Sequence, residues 1–184
     1  RSTQSPSSAA SDVYKRQHYY RHVMALSDVN DIVLQHFQED MTAKKRPSLE
    51  RLNDRFRLIN RRIDITEPDV FLRNPSAMLE MFFLMAQREE NIRVRVRTIR
   101  ALREAVHLID DDFRCDPENC RLFLSILKSP YTVVTQLTLM RRYGVLGRYL
   151  PAFGDIVGQM QHDLFHIYTV DAHTMMVIRN MRRF

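Results

Sequence analysis

Apolar residues recur at three- and four-residue intervals in one segment after another of this chain, and that period commits most of it to helices that bury one face. Over about 19–41 the set is Val23, Leu26, Val33, Phe37 and Met41, with Ile32 and Leu34 beside them. Met78, Leu79, Phe82, Phe83, Met85 and Ala86 form a wider face, and Ile99, Leu102, Val106 and Ile109 a narrower one over 98–110. Cys120, Phe123, Leu124 and Leu127 follow, then Val133, Val134, Leu137 and Met140. The last stripe is Val170, His173, Val177, Met181 and Phe184. The punctuation agrees with the period. Asn74-Pro75 and Asp116-Pro117 are helix starts, Thr169 is a third cap, and Ser129-Pro130 and Gly144 are stops.

The fold class that follows is all-α, an irregular helical bundle, with one small β-hairpin near 56–65. There Phe56, Leu58, Ile63 and Ile65 alternate with polar residues in RFRLINRRIDIT, a strand period rather than a helical one. Arg93, Arg95 and Arg97, alternating with Val94 and Val96, fit either a short extended entry or an early helical turn. Four glycines in 184 residues argue against a glycine-rich Rossmann unit or a many-stranded sandwich. Gly147, Gly154 and Gly158 form neither GxGxxG nor GxxxxGKS, so short helical turns joined by bends are expected around them.

No run reaches the roughly 18 to 20 apolar residues of a membrane helix, and the N-terminus lacks a signal core, so the expected location is the cytoplasm. Residues 1–17 are Ser-rich with few large apolar groups and read as a disordered or non-native leader. The chain stops inside its last amphipathic pattern and reads as a fragment. Cys115 and Cys120 are too few for a disulfide framework or a zinc site and read as ordinary thiols.

Charge is concentrated in one place. Residues 41–62 carry eight bases (Lys44, Lys45, Arg46, Arg51, Arg55, Arg57, Arg61 and Arg62) against two acids (Glu50 and Asp54), an excess equal to the +6 of the whole chain. Phe56 is the one aromatic interleaved there and no reading helix or finger motif accompanies it, so nucleic acid is not an expected partner. His162, Asp163, His166, Asp171 and His173 are the residue types that hold divalent metals, but HExxH is not formed and no complete site is assigned to them. Ser125 lacks a nucleophile elbow, and Cys115 and Cys120 lack a histidine nearby. Asp110, Asp111 and Asp112 read as solvated acids at a helix end. No residue is assigned as catalytic or cofactor-binding.

The run YGVLGRYLPAFGDIVGQMQHDLFHIYTVDAHTMMVIRNM at 143–181 resembles the bifunctional uridylyltransferase and uridylyl-removing enzymes that modify the PII nitrogen-signalling protein. The likeness extends through HYYRHVMALSDVN at 18–30, FLRNPSAMLEMFFLMAQ at 71–87 and CRLFLSILKSP at 120–130. It implies that 18–165 is the helical segment following a nucleotidyltransferase domain absent from this chain. It implies equally that 166–184 is the first helix of an HD-type phosphohydrolase domain. The parent would transfer UMP from UTP to a tyrosine of PII, hydrolyse that link, and respond to glutamine. By its helix context in TVDAHTMMV, His173 matches the family's first metal-binding histidine, for Mg or Mn in the parent, with no metal expected on the fragment alone. The literal doublet His162-Asp163 precedes His173, whereas the family's doublet follows its first histidine, so the resemblance does not make it the metal doublet. The resemblance therefore implies an interdomain scaffold, inactive by itself, and the local charge of 41–62 makes nucleotide or PII the expected partner of its basic stretch. Two other readings stay open: a glutamine synthetase adenylyltransferase-like segment, and a non-catalytic basic helical binding module.

Overall fold

The computed structural model describes residues 6–42, 47–89, 91–159 and 168–182. Strands β2 (Phe56–Ile59) and β3 (Arg62–Ile65) form the expected hairpin, antiparallel, with Phe56 opposite Ile65 and Leu58 opposite Ile63. A side-chain period of two puts those four on one face, and all four are buried. Asn60 and Arg61 turn the corner at φ of 51° and 60°, the left-handed conformation that a two-residue hairpin loop of matching twist requires. Two short strands extend the hairpin to a sheet of order β1-β2-β3-β4. β1 (Leu49–Arg51) lies antiparallel to β2, and β4 (Arg93–Val94) lies parallel to β3. Arg93 to Val96 thus resolves as an extended entry into a helix.

Helices cover the sheet's apolar face. After α2 (Val70–Arg73), helix α3 (Ala77–Ala86) is buried at seven positions on nearly every side and is the centre of the core. It starts two residues later than Pro75 because Asn74 closes α2, and the Asn74 carbonyl accepts from the Ala77 amide at 3.0 Å. Around it stand α4 (Val96–Ala105), α5 (Asp111–Cys115), α6 (Pro117–Leu127) and α7 (Val133–Arg142). Asp116 caps α6 as its sequence implies, accepting from the Asn119 amide at 3.0 Å. The acidic run opens a helix rather than closing one: Asp110 accepts from the Phe113 amide at 2.9 Å, so Asp111 and Asp112 sit at the favourable end of the α5 dipole. α8 (Val145–Tyr149) and α9 (Pro151–Ile156) are the expected short turns. They approach so closely that a Cβ on Gly154 would lie 2.7 Å from the Gly147 carbonyl oxygen. α10 (Val170–Met181) begins after Thr169. The chain is therefore mostly α with a small sheet. No helix among the described residues is long and apolar enough to cross a membrane.

Helix α1 (Pro6–Thr42) departs from the sequence reading in two ways. It is helical from Pro6, so the leader expected to be disordered over 1–17 is continuous with the first helix from that residue on. Proline at a first helical position removes no bond, and no glycine or second proline interrupts the stretch after it. The second departure is the direction α1 faces. Apart from Ile32, which packs on the core, the side docked on the body is mostly polar. Gln17 donates to the Asp155 carbonyl at 2.9 Å, Arg21 to the Val157 carbonyl at 3.0 Å, and Gln35 to the Val94 carbonyl. Asp28 and Asp31 pair with Arg142 at 3.3 and 3.1 Å, and Glu39 accepts from the Val96 amide at 3.2 Å. Tyr19, Val23, Leu26, Val33 and Phe37 lie on the opposite side, all exposed.

Candidate functional site

Thr169, extended at φ −66° and ψ 154°, turns the chain into α10 and places Asp171 in its first helical turn. Asp171 is fully buried. Its Oδ2 accepts from Arg141 Nη1 at 2.8 Å, and its Oδ1 accepts from the Gly158 amide at 3.1 Å. Both carboxylate oxygens are thus satisfied, one by a charge from the last turn of α7 and one by the backbone of the bend after α9. That bend is itself constrained. Gly158 has φ +72°, and a Cβ there would lie 2.8 Å from Arg21 Cγ and 3.2 Å from the Arg21 amide nitrogen of α1. Two elements therefore meet on one carboxylate at the start of α10, and α1 packs against one of them.

His173 lies two residues further, about 200° round the helix from Asp171, and is exposed while Asp171 is not. Its backbone amide donates to the Thr169 carbonyl at 2.9 Å. The first turn of α10 so combines a buried anchor with an outward imidazole whose direction the anchor fixes. One imidazole is not a metal donor set, and among the described residues no three His, Cys, Asp or Glu side chains are grouped to hold an ion. His162, Asp163 and His166 lie outside the described residues.

The basic stretch does not stand as a bare surface. Arg55 makes a two-pronged pair with Glu80 at 2.7 and 2.9 Å, and that hydrogen bonding raises its pKa. Arg57 pairs with Asp64 at 3.2 Å and Arg62 with Glu39 at 3.4 Å. Asp64 is fully buried and is shared with Arg95 at 3.6 Å and Arg97 at 2.6 Å, while Thr98 Oγ1 lies 3.3 Å from it. Arg95 also reaches Glu39 at 3.4 Å. Two carboxylates thus tie together four guanidiniums from β2, β3 and the β4 to α4 junction, and they fasten α1 to the sheet. This network was not read from the sequence. The available signal was Asp64 itself, a lone acid inside the apolar alternation RIDI. Lys44, Lys45 and Arg46 lie outside the described residues.

Near α1 and α7, burial raises the pKa of Asp28 against the pull of Arg142, and it pushes Tyr143 up to about 12. Ser125 Oγ donates to the Arg121 carbonyl at 2.8 Å, while Cys120 Sγ lies 3.3 Å from the Arg114 carbonyl and also hydrogen-bonds with the Tyr149 side chain. Cys115 is an exposed thiol.

Residues 56–149 match the family model described as uridylyltransferase GlnD third domain. Over 168 residues, 91% of this chain, the sequence is 53% identical to the bifunctional uridylyltransferase/uridylyl-removing enzyme of Pseudomonas aeruginosa and 54% identical to that of Pseudomonas putida. The relative of the same description from Pseudomonas syringae pv. tomato is 51% identical over 167 residues. The chain spans 19% of the length of each of these relatives. No solved structure matches it.

Proposed function

The chain belongs to the uridylyltransferase GlnD third-domain family, and on that premise we propose that it is the interdomain helical scaffold of an enzyme that uridylylates the PII signalling protein and removes the group again. In this reading UTP is the donor, PII the acceptor and glutamine the signal, in the cytoplasm. The observation that carries the scaffold role is the clamp of Arg141 and Gly158 on buried Asp171. It fixes the first turn of α10 to the helical body and so sets the outward direction of His173.

His173 then supplies one imidazole to a divalent metal, Mg or Mn, whose other ligands come from outside the described residues. Such a metal, when bound, makes water a competent nucleophile near neutral pH for removal of UMP. The part played by this chain is orientation. A ligand on an anchored first helical turn keeps its direction, whereas a ligand on a free helix loses binding energy to ordering. The test uses the full-length Pseudomonas aeruginosa relative. Replacing the residue aligned with His173 by alanine is expected to abolish uridylyl removal while transfer stays within about twofold. Undiminished removal by that variant refutes the assignment.

A further inference from the structure

Helix α1 docks on the body chiefly through polar side chains, with Ile32 as its apolar contact to the core, and leaves a row of apolar residues facing outward. Gln17, Arg21, Asp28, Asp31, Gln35 and Glu39 hold it to the body, while Tyr19, Val23, Leu26, Val33 and Phe37 point away and are 42% to 70% exposed. Val29 and Leu34 widen the outward stripe at its middle. Isolated exposed apolar residues are ordinary, but a continuous stripe on one helix marks an interface.

The spacing fits another helix as the occupant. Tyr19, Val23, Leu26, Asn30, Val33 and Phe37 alternate steps of four and three, the period of a seam between two helices, with Arg16 one step before and Asp40 one step after. We propose that α1 pairs with α1 of a second copy of this chain in an antiparallel two-helix seam. Laid antiparallel about the level of Asp28, the positions match in layers. Tyr19 meets the partner's Phe37, Val23 meets the partner's Val33, and Leu26 meets the partner's Asn30. Arg16 meets the partner's Asp40, so the outermost layer at each end is a pair of opposite charges. A parallel arrangement offers no such pair, because it sets Arg16 on Arg16 and Asp40 on Asp40.

The remaining observations agree. With side chains of this size about half exposed, the stripe offers roughly 700 Å² per copy, against about 800 Å² per partner in an interface of standard size. Asn30 is the one polar residue within the apolar layers, and a single amide at such a position sets register at some expense of affinity. Because the body lies behind α1, the two copies sit on opposite sides of the seam and the arrangement closes with two-fold symmetry. This surface lies apart from His173 and stands independently of the uridylylation reading.

Sedimentation velocity of the chain from about 1 to 100 µM tests the proposal, since mass action then reveals a reversible dimer. The expected result is a shift from monomer to twice the mass across that range. Val23→Glu with Val33→Glu is expected to give monomer throughout, with the far-UV helical signal retained because both side chains are already exposed. Arg16→Glu is expected to raise the dimer dissociation constant roughly tenfold, since both symmetry-related end pairs become repulsive. Adding Asp40→Lys to it is expected to restore the original value. A monomer at every concentration overturns self-pairing and assigns the stripe to another part of the longer relatives. Dimerisation that survives Val23→Glu with Val33→Glu, or an Arg16→Glu defect that Asp40→Lys does not rescue, overturns it as well.

Discussion

Replacing Asp171 by asparagine keeps the size of the side chain and one acceptor for the Gly158 amide, but it takes away the negative charge hydrogen-bonded to Arg141. Breaking a fully buried pair from one side costs about 3–5 kcal/mol, most of it from the charge left behind. Arg141 retains 19% exposure of its side chain, so water relieves part of that cost, and its Nε already lacks a hydrogen-bond partner among the described residues. The expected loss is therefore at the lower end, about 2–3 kcal/mol, read from urea denaturation followed by far-UV circular dichroism. Amide hydrogen exchange localises it: α10 is expected to lose protection before α3 does. The complementary variant, Asp171→Asn with Arg141→Met, removes both charges while keeping an acceptor for the Gly158 amide, and is expected to recover most of that loss. A cost below about 1 kcal/mol for Asp171→Asn, or a double variant less stable than the single one, refutes the view that this pair holds α10 in place.

Tyr143 supplies a pH test. Its folded-state pKa of about 12 lies above the ordinary 10, so the folded chain keeps a proton that the unfolded chain releases. Stability is then full below pH 10 and falls by about 2 kcal/mol as the pH rises towards 12, and Tyr143→Phe removes that part of the slope in denaturation series at each pH. Arg61→Gly relieves a non-glycine residue at φ 60° and is expected to raise the melting midpoint by the equivalent of about 1 kcal/mol. Gly154→Ala drives a methyl to 2.7 Å from the Gly147 carbonyl and is expected to cost about 1–3 kcal/mol by the same measurement, whereas an unchanged midpoint disproves the tight crossing of α8 and α9.

The helical period and the Asp116-Pro117 cap were legible because both are local, and so was the alternation that makes β2 and β3. β4 escaped reading as a strand because two residues, Arg93 and Val94, carry too little pattern, and their pairing with β3 comes from a distant segment. The outward stripe of α1 was legible as a stripe but not as outward. Its direction depends on which face finds partners, and Arg142, Arg62 and Arg95 hold the acids of the other face. Pairing also changes how the charge excess of 41–62 reads: a run of bases looks like a bare surface until Glu80, Asp64 and Glu39 are seen to meet Arg55, Arg57 and Arg62. Of the site, His173 came from the resemblance. The Arg141 to Asp171 pair, some thirty residues apart, left no mark on local pattern.

The two halves of the sheet differ in how they can form. β2 and β3 are joined by two residues and can zip on the microsecond scale. β4 pairs parallel with β3 only after α2 and α3 have crossed between them, a loop of about 30 residues whose closure entropy must be met before any bond rewards it. Loop-closure entropy favours one order of assembly: hairpin first, then collapse of α3 onto its apolar face, then capture of β4. Only with β4 in place do Arg95 and Arg97 reach Asp64, so the buried carboxylate acts as a latch that closes last and slows unfolding more than it speeds folding.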